Sequence, residues 1–280
     1  MAAPFLLATT VNAADLESKT LEAFNQYVER AQVRATEHCA ASAFLWIDSS
    51  PELRRSVRDG EIAVTPVGQT PLKVPNGLIH DWIGTEFIPD TTIEEVLNIV
   101  HDYGRYREFY APLVINSETT GHTGEQYRFR MLMMNHALFS KSALDGEYVE
   151  SFVRVDNQDW YSIADSTSMR QIDDYGEPDE TRLAEGEGSG YIWRLTSISK
   201  FGQRDGGVYV QIEVIALSRG IPGSLHWLVD PIVRRVARGS LVTSLEKTRA
   251  AVNSNDAVAH HTLPEPAAPP VRGTLTSAWR

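Results

Sequence analysis

The sequence predicts an α+β fold in which a curved antiparallel sheet of about seven strands wraps around a long C-terminal helix. The first observation behind this prediction is an alternating run after the turn at Asp205–Gly207. That run places one apolar set on a single face: Val208, Val210, Ile212, Val214 and Ala216. The second observation is a helical pattern that reaches Val252, with Asp230-Pro231 as the predicted start of its main part. Its apolar stripe winds around the axis, as expected of a helix crossing a twisted sheet.

The earlier part of the chain supplies the other elements. Leu78 to Ile88 alternates as a first strand, and two short helices follow it. The first of these helices starts after the capping sequence Pro89–Thr92, and the second covers Tyr103 to Tyr110. Five further strands are predicted over Val114–Thr120, Glu125–Met134, Ala137–Val155, Trp160–Ile172 and Tyr191–Phe201.

Composition divides the chain into four segments, namely residues 1–14, 15–75, 76–252 and 253–280. Residues 15–75 hold an amphipathic helix over Leu16 to Ala43 and a linker, and residues 76–252 hold the main domain. The last segment is rich in proline and is predicted to be disordered.

Residues 1–14 leave the compartment open. They are mildly apolar and end in the small-residue sequence Val11–Ala14, but they lack the positive start of a secretory signal. One interpretation is an exported or periplasmic protein with a truncated signal peptide. The other is a cytoplasmic protein whose N-terminus is frayed.

Charge and composition exclude several classes of partner. The net charge of −11 argues against a nucleic acid as the main partner, because no basic excess is available to displace counterions. No apolar run approaches the length of a membrane span, although transient membrane contact stays open. The single Cys39 and the absence of paired histidines at ligand spacing predict neither a metal nor another cofactor.

The order of strand, two short helices, a series of strands and one long closing helix resembles the helix-grip fold of the START-like, or SRPBCC, superfamily. The resemblance covers Asn76 to Val252 and is strongest from Gly206 through Trp227. The sequence Gly77–Gly84 also resembles that of a group of bacterial members without characterised function. Such domains include lipid carriers and aromatic-polyketide cyclases, so the resemblance implies an internal cavity for a hydrophobic molecule without naming it.

The resemblance implies that side chains facing the C-terminal helix line this cavity. Methionines suit a wall that adapts to varied ligands, and serine hydroxyls would orient a polar group. Arg219, at the end of the last strand, would meet a carboxylate or phosphate head. The predicted ligand-binding residues are Tyr127, Phe129, Met131, Met133, Trp193, Leu195, Ser197, Ser199, Val210, Ile212, Val214, Arg219, Trp227, Ile232 and Val236. The alternative is that these side chains fill the space as an ordinary core.

No catalytic constellation stands out in the sequence. The adjacent pair His80-Asp81 lies on a predicted strand, where neighbours point to opposite faces. Glu213 falls opposite the apolar set and is interpreted as an outer residue. The sequence therefore favours non-catalytic binding or transfer of a lipid or other hydrophobic molecule. A cyclase or aromatase acting in the same cavity, and a filled domain that serves as an interaction scaffold, are the alternatives.

Overall fold

The computed structural model describes residues 16–39, 43–137, 140–188, 192–220 and 226–254. Its helices are α1 (Ser18–Cys39), α2 (Pro51–Arg58), α3 (Ile93–His101), α4 (Tyr106–Phe109) and α5 (His226–Asn253), with 3₁₀ turns at Trp46–Ser49 and Tyr103–Arg105. Its strands are β1 (Ala63–Pro66), β2 (Leu72–Val74), β3 (Gly77–Pro89), β4 (Val114–Thr123), β5 (Gln126–Ala137), β6 (Ser140–Arg154), β7 (Asp159–Asp173), β8 (Thr181–Arg182), β9 (Arg194–Arg204) and β10 (Gly207–Arg219). The predicted segments 1–14 and most of 253–280 lie outside the described residues.

The strands form one antiparallel sheet in the order β1-β3-β10-β9-β7-β6-β5-β4, with β2 paired to β3 and β8 paired to β7. Seven of these strands are the predicted ones. Within the described residues, the short strands β1, β2 and β8 bring the sheet to ten strands. Strands β1 and β2 precede the predicted main domain and occupy the edge of β3 that β10 leaves free, which satisfies its backbone groups.

Helix α5 lies across β3, β1 and β10 and closes one face of the sheet. A glycine at position 84 permits this approach, since a Cβ there would lie 2.9 Å from Leu245 Cδ1 and 3.1 Å from Leu241 Cγ. Helix α5 begins at His226, so the predicted break at Pro231 is wrong. A proline near the start of a helix removes one backbone hydrogen bond there, and here it does not end the helix. The long closing helix over an antiparallel sheet confirms the predicted α+β, helix-grip fold.

Helix α1 covers the opposite face of the sheet. Its buried stripe consists of Phe24, Val28, Ala31 and Ala35. These side chains pack on residues of β3, β9 and β10, namely Ile79, Ile198, Ile215 and Leu217. We call the face beneath α5 the inner face and the face beneath α1 the outer face. The N-terminal helix thus covers the outer face and does not lie over the inner one.

Strand β3 is covered on both faces, by α5 on the inner face and by α1 on the outer face. Every residue from Gly77 to Ile88 is buried, on both sides of the strand. Thr92 and Glu95 then form the predicted capping box at the start of α3, which leads the chain back over the inner face. None of the helices in the described ranges combines the length and hydropathy needed to cross a lipid bilayer.

Candidate ligand-binding site

The inner face has a bulky wall formed by β5 and its neighbours. Four predicted ligand-binding residues of β5 alternate onto it: Tyr127, Phe129, Met131 and Met133. They pack with aromatic and apolar side chains of the adjoining elements, including Tyr103, Leu144, Tyr148 and Met169. Phe129 is buried, whereas the two methionines keep part of their surface accessible. The β5 wall is therefore present where the sequence placed it.

Small side chains occupy the middle of the inner face. Ser162 on β7 pairs with Ser199 on β9, which pairs in turn with Ile212 on β10. In the next row, Ala164 pairs with Ser197. Because directly paired residues of antiparallel strands share a face, these four small residues form one patch, which we call the serine floor.

Strand β10 shows that the inner face is incompletely covered. Its inner-facing side chains from position 212 onward are only half-buried: Ile212, Val214, Ala216 and Ser218. Its outer-facing side chains over the same stretch are buried: Gln211, Glu213, Ile215 and Leu217. An apolar side chain in the centre of a sheet is normally fully buried, so the accessible surface of Ile212 and Val214 distinguishes this face of β10 from the outer one.

The other predicted residues are placed as follows. Val210 is fully buried in the cluster beneath α5, and Leu195 packs beside the β5 wall. Val236 of α5 is half-buried, and so is Arg219 at the end of β10. The side chains of Trp227 and Ile232 lie outside the described part of the chain.

Trp193 departs from the predicted alternation. It packs in the outer-face cluster with Phe24 and Leu217, and its backbone N–H donates to the Leu217 carbonyl at 2.7 Å. Strand β9 begins only at Arg194, so the alternation that would have placed Trp193 beside Leu195 does not extend to it. The Trp193 side chain therefore lies on the outer face and not on the inner face.

The inner face also contains a buried acid, Glu150, which was not among the predicted site residues. Glu150 of β6 accepts a hydrogen bond of 2.8 Å from the Tyr103 hydroxyl. It pairs with Ala164 of the serine floor. Burial raises the pKa of Glu150, which the hydrogen bond from Tyr103 only partly offsets. The site therefore contains a carboxyl group that holds its proton to higher pH than an exposed glutamate.

A second inner-face acid, Glu86 on β3, lies near the C-terminal end of α5. Burial raises the pKa of Glu86 to about 8, against the opposing effect of Arg249, whose Nε is 3.6 Å away. Tyr110 lies close by and shares a 3.1 Å hydrogen bond with the Thr248 hydroxyl. Glu86 is fully buried and belongs to the closed end of the inner face.

A histidine also lies against the β5 wall. The His101 ring stacks on Tyr127 with centroids 4.8 Å apart and meets the Phe152 ring edge-on at 4.2 Å. Together with Tyr103 and Glu150, it gives the β5 wall an imidazole, a phenol and a carboxyl group. Among the described residues, no group of histidine, cysteine, aspartate or glutamate side chains is arranged to hold a metal ion.

No protein-family model and no curated protein matches this chain. Among solved structures, it is similar to a STAR-related lipid transfer protein from Xanthomonas axonopodis, at 15% identity, with 68% of this chain and 98% of that chain covered and a TM-score of 0.46. It is similar to human STARD10 at 10% identity, with 73% and 79% covered and a TM-score of 0.43. It is also similar to the Zhui aromatase/cyclase from Streptomyces sp. R1128 at 8% identity, with 64% and 96% covered and a TM-score of 0.43. Since each TM-score is below 0.5, the assignment of the helix-grip fold rests on the strand order and helix placement described above.

Proposed function

We propose that the inner face binds a lipid or another hydrophobic small molecule and carries it without chemical change. The observation that supports this most directly is the accessible surface of Ile212 and Val214, in the middle of the sheet and beneath α5. Exposed apolar surface at this position is costly in water, and a largely apolar ligand would remove the cost. The adaptable Met131 and Met133 side chains suit a ligand of variable shape.

The serine floor and Glu150 select the polar part of this ligand. Hydroxyl groups offer both donors and acceptors, and a buried carboxyl group with a raised pKa offers a neutral partner. A hydroxyl or carbonyl group on the ligand is therefore accommodated next to Ser162, Ser197 and Ser199. A charged group at this position would be desolvated without a counter-charge, which is unfavourable.

Native mass spectrometry of the full chain, purified from its own host, tests this proposal. We expect a co-purified molecule that organic extraction releases. The variant Ser199→Phe fills the serine floor and should reduce the bound fraction at least tenfold. Thr119→Phe, on an exposed position of the edge strand β4, adds the same ring elsewhere and serves as the control.

One result would contradict carriage, and another would contradict the location proposed for the ligand. If the protein is empty in its host and takes up no fatty acid, sterol or polyketide offered in vitro, the domain has no transport role. If Ser199→Phe and Thr119→Phe retain the ligand equally, the molecule lies somewhere other than the serine floor.

A cyclase or aromatase activity is the second candidate, and the Glu150–Tyr103 pair is the observation that favours it. A buried acid with a raised pKa can give a proton to a carbonyl oxygen and later take one back. The test is turnover of a linear poly-β-ketone thioester mimic by wild type and Glu150→Gln. Enzymatic cyclisation that Glu150→Gln lowers at least a hundredfold, with ligand affinity retained, would place catalysis ahead of carriage.

A further inference from the structure

The N-terminal half of α5 carries a cluster of positive charge. Between residues 226 and 246 the helix contains three arginines, Arg234, Arg235 and Arg238, and a single acid, Asp230, in a chain whose net charge is −11. All three arginines are exposed. Within the described residues, none of them makes an ion pair. This segment therefore presents cations that the described part of the chain does not neutralise.

Two of these arginines lie on the side of α5 that faces the sheet. The buried stripe of α5 includes Leu241 and Leu245, which lie against Gly84 of β3. Arg238 and Arg234 continue this stripe toward the N-terminus, because they precede Leu241 by three and seven residues, spacings that share one face of a helix. The same side of α5 is thus apolar where it meets the sheet and cationic one to two turns earlier.

The direction of α5 places the two arginines over one end of the inner face. Arg249 Nε lies 3.6 Å from Glu86, whereas the leucine stripe meets β3 at Gly84, so α5 and β3 run in the same direction. Arg234 lies roughly 10 Å before this contact along the helix axis, a distance that about three residues of a strand span. It therefore lies toward the His80 end of β3.

This end of the inner face offers both apolar surface and hydrogen-bonding groups. Val214 and Ala216 of β10, which pair with Trp82 and His80, are only half-buried. Ser218 is also half-buried, and its hydroxyl oxygen lies 2.9 Å from His80 Nε2. A hydroxyl group can donate and accept hydrogen bonds to a polar head group. The arginines thus lie near a surface suited to a molecule with one polar and one apolar end.

We propose that Arg234 and Arg238 bind the anionic head group, a carboxylate or a phosphate, of the inner-face ligand. This inference rests on the proposed carrier function and narrows the ligand to an anionic amphiphile. Two guanidinium groups one helical turn apart repel each other, and an anion between them offsets that repulsion. The apolar chain extends across Val214 toward the serine floor, whose uncharged hydroxyls do not favour a charged group.

Isothermal titration of the full chain at pH 8 with decanoate, decyl phosphate and 1-decanol tests the need for an anion. The three probes share one alkyl chain, and decanoate is ionised at this pH. We expect at least one of the anions to bind at least tenfold more tightly than the alcohol, and the tighter anion identifies the head group. If 1-decanol binds as tightly as both anions, the head-group site is refuted while carriage stands. If none of the probes binds, both proposals fail.

Variants that remove charge locate the head-group site. The double variant Arg234→Gln/Arg238→Gln should reduce the affinity for the preferred anion to that for 1-decanol, while the affinity for 1-decanol itself stays within about twofold. Retained binding of 1-decanol shows that the inner face is still folded. Arg235→Gln is the matched control, because this exposed side chain lies about 100° around the helix from Arg234.

Three results would overturn the assignment. A preference for the anion that survives in the double variant would place the head group elsewhere. An equal loss in Arg235→Gln would indicate a general effect of the helix charge. Inorganic phosphate that competes with the preferred anion at equal concentration would indicate a site for a free anion rather than for an amphiphile. Ser199→Phe should weaken the binding of all the decyl probes, so it reports on carriage and not on the head-group site.

Discussion

On β10, the side chains of Gln211, Glu213 and Ile215 are buried beneath α1, whereas Ile212 and Val214 keep accessible surface beneath α5. The polar-containing face is thus the sealed one, and the uniformly apolar face is the open one. The usual inference from sequence runs the other way, with apolar residues inside and polar residues in solvent. The helix that lies over each face, rather than the polarity of that face, therefore decides which side chains are buried.

Truncation of one isoleucine on each face of β10 tests whether the two faces differ in packing, and it should give the largest effect. Ile215→Ala, on the sealed outer face, should lower the free energy of unfolding by about 3–4 kcal/mol. Ile212→Ala, on the open inner face, should cost about 1–2 kcal/mol because the side chain is already partly accessible. Urea unfolding of both variants measures the difference. Equal losses would mean that the inner face is as tightly packed as the outer one.

Asp81, which is buried on the outer face beside Glu213, predicts a pH effect on stability. Since the pKa of Asp81 is raised to about 7, the folded chain holds this proton more tightly than the unfolded chain does. The resulting stabilisation is complete below about pH 4 and is lost as the pH rises through about 7. Asp81→Asn should therefore be about 2 kcal/mol more stable than wild type at pH 8, with no such gain at pH 4.

Thermal unfolding across this pH range is the measurement. A wild type whose stability rises between pH 4 and pH 8 by more than that of Asp81→Asn would show that the aspartate is stabilised in its charged form instead. Glu52→Gln, at an exposed position of α2, controls for a general change in net charge.

The contact between α5 and the inner face is tested at Gly84. A methyl group there meets Leu245 and Leu241 at about 3 Å, so Gly84→Ala should force α5 outward at a cost of about 1–2 kcal/mol. The same change should widen the inner space and speed ligand release. Unaltered stability in chemical denaturation would place α5 farther from β3 than described.

A matched glycine on the solvent side of α5 gives the smallest effect. Gly239 is exposed, and a Cβ added there meets nothing within 4 Å. Gly239→Ala should raise the free energy of unfolding by about 0.5–1 kcal/mol, because alanine loses less backbone entropy in a helix. A loss of stability would indicate that this side of α5 has a partner, for example in a second molecule.

Much of the fold could be predicted because alternation within a strand is a local property. The run from Val208 to Ala216 shows which side chains share a face, and the structure confirms that grouping. What lies over each face depends on distant parts of the chain. Nothing near Glu213 in sequence indicates that α1 covers it. The prediction that Glu213 lies on the outer face is therefore confirmed, whereas its burial was not predicted.

The inner acid Glu150 escaped notice for a different reason. The alternation of β6 is unbroken from Leu144 to Phe152, so the placement of Glu150 on the inner face follows the strand period. Its burial beside the Tyr103 hydroxyl depends on a residue 47 positions earlier in the chain, and a local pattern does not show that contact. Trp193 lies on the outer face because alternation holds only within a strand, and β9 begins one residue later, at Arg194.

The alternation of β10 also constrains how this protein can change. Val214 lies on the inner face beneath α5, and the adjacent Glu213 lies on the outer face beneath α1, so a single strand serves both sides of the sheet. Insertion or deletion of one residue before position 212 would turn the Glu213 carboxylate toward the apolar inner face and the Val214 side chain toward α1. We therefore expect evolution to alter this strand by substitution and to confine length changes to the loops around it.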